Sequence, residues 1–136
     1  MSSACQKAII ARFDGDVGVD SVYTAVGGRL WYERAKETET TPYIVFRIVD
    51  DAPDRTFADD LPTWRVQFDI YDEDPEPNTV NDVAWKLQQR FNRCDLTYVD
   101  GHHTAVGCVR DMTLGPMREG EYWRVTMDFL VTAQET

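Results

Sequence analysis

The residues that could perform chemistry are few, and their spacing does not suit catalysis. His102 and His103 are the only histidines, and as neighbours on a strand they would point to opposite faces, which disfavours joint binding of one metal ion. The serines are Ser2, Ser3 and Ser21, and none lies in a Gly-x-Ser-x-Gly turn. We therefore expect no catalytic residue, no metal and no cofactor, and we predict that the protein is not an enzyme. An enzyme that combines a carboxylate with one of the histidines is the weakest alternative.

The three cysteines, Cys5, Cys94 and Cys108, form no Cys-x-x-Cys pair. A three-residue turn centred on Gly101 would place Cys94 and Cys108 seven residues to either side, where they would face each other across a strand pair. Cross-strand neighbours lie near disulfide distance, but two buried thiols are the favoured interpretation in a reducing compartment. The sequence leaves open whether these two cysteines are paired.

Hydrophobic periodicity predicts the elements that would position these residues. Apolar residues at helical spacing predict one helix that begins at Ser2 or Ser3 and ends before Gly15, and a main core helix from Val80 to Phe91. A helix of one or two turns fits before Gly27. Strands are predicted at 30–32, 43–49, 64–71, 96–99, 104–112 and from residue 123 onward, with a loop through 115–116 and 120.

This order predicts a single α+β domain over residues 1–136, with a mainly antiparallel sheet of about five to six strands and two helices packed on one face. The other face would carry Arg65, Asp69, Arg124 and Asp128. A face of mixed charge is usually solvated. Rows of both signs are also self-complementary across a ring or symmetric contact, so these four residues are our predicted subunit contacts.

Acidic residues dominate the charge of the chain. The net charge is -10 on 136 residues, which disfavours sequence-specific nucleic-acid binding, and no apolar stretch is long enough for a membrane span. The segment 50–76 holds ten acids and two bases, so it carries -8 of this total. We predict a flexible acidic loop at 50–62. Its candidate functional residues are Asp50, Asp51, Asp59 and Asp60.

A resemblance to a known family runs through residues 23–91. It is carried by YTAVGGRLWY (Tyr23–Tyr32), TPYIVF (Thr41–Phe46), VQFDIY (Val66–Tyr71) and the helix that follows. These segments resemble the tail-completion proteins of long-tailed bacteriophages, also called tail terminator or tail-to-head joining proteins. The last strand, with RVTMDF at 124–129, is consistent with that resemblance.

The resemblance implies an α+β subunit that forms a hexameric ring at the head-proximal end of the tail tube. Such a ring stops tube polymerisation and joins the tail to the head. The implied partners are further copies of the chain, the tail tube protein and the head connector protein, and the implied locations are the host cytoplasm during assembly and the virion tail. The segment 50–62 resembles an extension that becomes ordered on assembly, and its acids could line a DNA channel.

Two alternatives remain open at this stage. A head-closure or neck subunit of a phage particle shares the size and the ring architecture of a tail-completion protein. A small binding domain whose acidic loop recognises a basic partner would explain the charge of residues 50–76 without any particle.

Overall fold

Three helices and six strands make up the described part of the chain. The computed structural model describes residues 2–35, 39–50, 53–55, 60–94, 96 and 103–135. The helices are α1 (Ser2–Asp14), α2 (Val22–Ala25) and α3 (Asn78–Phe91). The strands are β1 (Leu30–Tyr32), β2 (Tyr43–Asp50), β3 (Pro53–Arg55), β4 (Asp60–Asp72), β5 (His103–Glu119) and β6 (Tyr122–Glu135). No helix in the described ranges is both long enough and apolar enough to cross a bilayer.

Five strands lie side by side in the order β1-β2-β4-β6-β5, and β3 pairs with the first residues of β4. Only the β1–β2 pair is parallel; the other described pairings are antiparallel. The predicted α+β class is therefore confirmed. The last strand in chain order, β6, occupies an interior position between β4 and β5.

One hydrophobic core joins the helices to alternate residues of the central strands. Phe68 of β4 lies at its centre, with ring centroids 5.2 Å from Phe91 of α3 and 5.5 Å from Phe129 of β6. The apolar residues that gave α1 and α3 their helical periodicity are buried in the same cluster; they are Cys5, Ala8, Ile9, Phe13, Val80, Val83, Leu87 and Phe91. We call the side of the sheet that carries Phe68 and Phe129 the core face.

Local signals explain where the helices begin and end. The Ser21 hydroxyl accepts a hydrogen bond from the Thr24 amide at 3.1 Å, which caps the short α2. Helix α1 ends at Asp14, directly before Gly15, and α3 covers the predicted core helix with two additional residues, Asn78 and Thr79.

The structure corrects two of the predicted boundaries. The predicted loop at 115–116 does not interrupt the sheet, because β5 continues to Glu119 by means of three register shifts against β6. The predicted strand at 64–71 is longer, because β4 begins at Asp60, where it pairs with β3. Most of the predicted strand at 96–99 lies outside the described residues; Leu96 itself is buried and is not part of a strand.

Candidate functional site

The four predicted subunit contacts share one face of the sheet, opposite the core face. In the β4–β6 register, Asp69 lies opposite Thr126 and Tyr71 lies opposite Arg124. Period-two alternation puts Arg65 and Asp128 on the same side as these residues. We call this side, defined by Arg65, Asp69, Arg124 and Asp128, the polar face.

Asp69 is the most buried charge of the polar face, with only 2 % of its surface exposed. The Thr126 hydroxyl donates a 2.6 Å hydrogen bond to Oδ1 of Asp69, and the Gln67 amide donates one of 3.1 Å to Oδ2. The Arg47 guanidinium lies 3.8 Å from the same carboxylate. Three strands therefore contribute partners to one carboxylate, which satisfies its charge inside the subunit.

Arg65 and Asp128 form a second cluster on the polar face, together with Asp111 of β5. The Arg65 guanidinium lies 2.6 Å from Asp111 Oδ2 and 3.6 Å from Asp128 Oδ2. Burial raises the pKa of the Asp128 carboxyl, and Arg65 acts in the opposite direction. Oδ1 of Asp128 is buried and has no hydrogen-bond partner among the described residues.

Arg124 completes the set at the end of the polar face nearest the β5–β6 turn. Its guanidinium lies 3.2 Å from Glu119 and also has a side-chain hydrogen bond with Tyr71. Arg65 and Arg124 are about one-third exposed, whereas Asp69 and Asp128 are largely covered. That these four residues contact a neighbouring subunit stays a prediction. The two arginines are better candidates for such a contact than the two aspartates, because they are more exposed.

An exposed apolar row runs along the edge strand β5 on the same side of the sheet. Opposite Leu130, Asp128, Thr126 and Arg124 of β6 the register places four apolar side chains of β5: Val109, Met112, Leu114 and Met117. Each is between 39 % and 51 % exposed. We call these four residues the apolar row. Since most large apolar side chains that remain exposed are scattered singly, four in line on one strand form a candidate contact surface.

The register shifts of β5 create this row. Strict alternation would separate the even-numbered Met112 and Leu114 from the odd-numbered Val109 and Met117, but extra residues between Arg110 and Met112 and between Leu114 and Met117 bring all four to one face. Gly115 supplies the conformation for the second shift with φ of +106°, and a Cβ at Gly115 would lie 2.8 Å from the Arg124 carbonyl oxygen.

Sequence reasoning missed the apolar row because the row has a spacing of three, two and three residues, which fits neither a regular strand nor a helix. The Gly115-Pro116 dipeptide, read as a loop, was the available signal. Glycine inside an otherwise β-prone segment often marks a bulge, and proline is tolerated on edge strands and at bulges.

The acidic segment is described only in part. Asp50 is the last residue of β2 and Asp60 the first residue of β4, while Asp51 and Asp59 lie outside the described residues. Within the predicted loop at 50–62, β3 pairs with the start of β4. Pro53 lies opposite Pro62, and Arg55 lies opposite Asp60. This part of the segment is therefore a pair of strands.

Outside the polar face, the described residues show no cluster of side chains arranged for catalysis or metal binding. No group of three or more His, Cys, Asp or Glu residues in these ranges is arranged to hold a metal ion. A shallow cavity of about 250 Å³ beside β1 and β2 is lined by residues that include Arg34, Tyr43, Arg47 and Tyr71. Burial raises the pKa of Tyr43 to about 12, so this hydroxyl stays protonated at neutral pH and is not poised as a base.

Cys94 and Cys108 face each other as the sequence suggested, across an isolated antiparallel bridge. The Cys108 amide donates to the Cys94 carbonyl at 3.0 Å, and both side chains are buried as thiols. A hydrogen bond with Cys94, together with burial, raises the pKa of the Cys108 thiol. A buried thiol of this kind is not activated as a nucleophile.

Comparison with known proteins finds likeness in structure but not in sequence. No protein-family model matches the chain, and no curated protein matches it. Among solved structures, the fold is similar to that of a chain from the virion of a native gene transfer agent particle. The two chains superpose with a TM-score of 0.79 at 14 % sequence identity, over 99 % of this chain and 97 % of the other.

Proposed function

We propose that this protein is a structural component of a phage-like particle and acts as its tail-completion subunit. Copies of the chain assemble as a ring, likewise proposed to be a hexamer, at the head-proximal end of the tail tube. The ring stops tube polymerisation and joins the tail to the head connector. The protein is made and assembled in the host cytoplasm and is then carried in the virion tail.

The observation that carries the proposal is the fold likeness to a chain of a gene transfer agent virion, which extends over nearly the full length of both chains. The resemblance of residues 23–91 to tail-completion proteins supports the finer assignment. The polar face and the apolar row support assembly, because together they offer charged and apolar contacts on one side of the subunit.

The acidic segment fits a position beside the DNA path in this proposal. Residues 50–76 carry a net charge of -8, and acidic side chains such as Asp50, Asp51, Asp59 and Asp60 would repel the phosphate backbone. A channel lined in this way lets the duplex pass without holding it. Replacing these four residues by Asn should leave ring formation unchanged and should slow DNA release from assembled particles.

The test is assembly of the purified full chain with and without the tail tube protein of the same particle. Negative-stain images and native mass spectrometry should show closed rings, and tubes polymerised in the presence of the protein should be shorter and carry a ring at one end. A chain that stays monomeric and never associates with tube ends would contradict the proposal. Binding to the connector but not to the tube would instead favour the head-closure role.

A further inference from the structure

We propose that Cys94 and Cys108 are a modification site, at which a low-molecular-weight disulfide converts the two thiols into an intramolecular disulfide. The new bond joins the segment that follows α3 to the edge strand β5. The chemistry concerns one folded subunit and does not depend on the proposed function. Only the timing of the reaction in a particle rests on that function.

The backbone already holds the two cysteines opposite each other. Cys94 and Cys108 are register partners in an isolated antiparallel bridge. The Cα atoms of directly opposite residues in antiparallel strands are about 4.5–5.5 Å apart, and disulfides span Cα separations of about 4.4–6.8 Å. The spacing of such a pair therefore suits a disulfide without a shift of either backbone segment.

Hydrogen bonds fix this pairing on both sides of the bridge. The Cys108 amide donates to the Cys94 carbonyl at 3.0 Å, and the Arg93 amide donates to the Cys108 carbonyl at 2.6 Å. The Arg110 amide donates to Asn92 Oδ1 at 2.9 Å. Because these bonds hold the two segments in one arrangement, the thiols meet at a high effective concentration.

The two side chains contact each other in the reduced subunit. Cys94 is 6 % exposed and Cys108 is 1 % exposed. Both are thiols, and a hydrogen bond joins them. The third cysteine, Cys5, is buried in α1. The hydrogen bond selects Cys94 as the partner of Cys108, so Cys5 should keep its thiol when the other two are oxidised.

The reaction consists of two successive thiol–disulfide exchanges. Cys94, the more exposed of the pair, loses its proton to solvent, and its thiolate attacks one sulfur of the small disulfide. The S–S bond of the reagent breaks, and one small thiolate leaves and takes up a proton. Cys108 then loses its proton, and its thiolate attacks the Cys94 sulfur and releases the second small thiolate. Two cysteine thiols are oxidised, and one small disulfide is reduced to two thiols.

The disulfide gives the edge strand β5 a covalent link to the segment after α3. Among the described strands, β5 pairs with β6 alone, and the bridge at Cys94 is its attachment on the other side. A cross-link between residues 94 and 108 restricts the unfolded chain and thereby stabilises the folded one. In the proposed function the subunit is made in a reducing cytoplasm and leaves it in the particle, so we expect the bond to form after release.

The test counts thiols in the full chain before and after overnight exposure to hydroxyethyl disulfide at pH 8, once the reagent has been removed and the protein denatured. The reduced chain should titrate with three thiols and the treated chain with one, and peptide mass spectrometry should recover Cys94 joined to Cys108. The thermal unfolding midpoint should rise by at least about 5 °C and should fall back when a reductant is added.

A second exposure in urea, below the unfolding transition, allows for slow entry of the reagent to a buried site. Retention of all three thiols in both exposures would overturn the proposal.

Two variants are matched controls. Cys5→Ala should form the same bond and finish with no thiol. Cys108→Ala should show no rise in the unfolding midpoint relative to its own untreated sample. In the parent chain, a disulfide that includes Cys5, a bond between two chains or a persistent adduct of the reagent on Cys94 would each contradict the inference.

The outcomes for the inference and for the proposed function can be told apart. If the disulfide forms in a chain that never assembles into rings or binds tube ends, the inference stands and the tail-completion function fails. If rings form and cap tubes while all three thiols persist, the function stands and the inference fails. Subunits from the host cytoplasm should titrate with three thiols and subunits from released particles with one; three thiols in released particles would refute the timing.

Discussion

Arg12 and Arg90 cap each other's helices. The Arg12 guanidinium donates from Nε and Nη2 to the Arg90 carbonyl at 3.0 Å and 2.9 Å, and Arg90 Nε donates to the Arg12 carbonyl at 2.9 Å. Both carbonyls belong to the last turn of their helices, where backbone acceptors lack intrahelical partners and a positive charge is favourable. These hydrogen bonds hold the C-terminal end of α1 against the C-terminal end of α3.

We expect Arg12→Met and Arg90→Met each to lower the free energy of unfolding by about 1–3 kcal/mol, since each removes a donor from a partly buried carbonyl. Urea denaturation of both single variants and of the double variant measures the coupling between them. Lys7→Met, at an exposed site of α1, is the control and should change stability by no more than about 0.5 kcal/mol. Unchanged stability in both single variants would contradict mutual capping.

The aromatic cluster around Phe91 should be a major source of stability. Phe91→Ala removes a fully buried ring that contacts Phe68 and Phe129, and we expect a loss of about 3–5 kcal/mol. Trp85→Ala, on the same helix but 59 % exposed, should cost less than about 0.5 kcal/mol. Thermal or chemical unfolding followed by far-UV circular dichroism measures both. Equal effects would mean that α3 presents a different side to the sheet.

Asp72 should make stability depend on pH below neutrality. Burial raises the pKa of this carboxyl, against the effect of hydrogen bonds from the Asp74 and Glu73 amides. A carboxyl whose pKa is higher in the folded state than in the unfolded state favours folding when protonated, so its contribution falls as pH rises through the folded pKa. Asp72→Asn should therefore be more stable relative to the parent at pH 7 than at pH 4.

Chemical denaturation of the parent and of Asp72→Asn across this pH range checks the sign. Glu121→Gln, in the exposed β5–β6 turn, controls for the loss of one negative charge. A stability difference for Asp72→Asn that shrinks toward pH 7 would contradict the burial of a costly carboxylate.

Cys94 and Cys108 should resist alkylation in the folded protein. Their burial and the raised pKa of the Cys108 thiol suppress the reactive thiolate. Iodoacetamide at pH 8 should modify Cys108 at least about tenfold more slowly than it does in denaturant, as followed by peptide mass spectrometry. Denatured but unreduced protein should titrate with three thiols; a smaller number would reveal a disulfide.

Sequence reasoning reached most of the elements because each carried a regular pattern. The alternation from Trp64 to Tyr71 predicted both the central strand and the face that carries Arg65 and Asp69. The same alternation gave no sign that Asp69 would be buried. That burial comes from Gln67 on its own strand and from Arg47 and Thr126 on the two neighbouring strands, and these contacts depend on a register that one strand does not encode.

The surfaces with exposed apolar residues were harder to predict for a different reason. In β5 the bulges break the periodicity that reveals a face, so Val109 and Met117 could not be grouped with Met112 and Leu114 before the pairing with β6 was known. Between α1 and α2, Val17 and Val19 are exposed among acids and glycines. Composition says nothing about whether Val17 and Val19 pack inward or stay in solvent.

The interior position of β6 has a consequence for synthesis on the ribosome. All other described strands precede β6 in the chain. Both β4 and β5 pair with β6, which lies between them in the sheet. While Trp123 and the residues after it are still inside the ribosome, β4 and β5 have open hydrogen-bonding edges. The aromatic cluster around Phe68 is then uncovered on the side that Phe129 later occupies. The central sheet can therefore close only after β6 has left the ribosome, and until then the open edges of β4 and β5 are available for incorrect pairing.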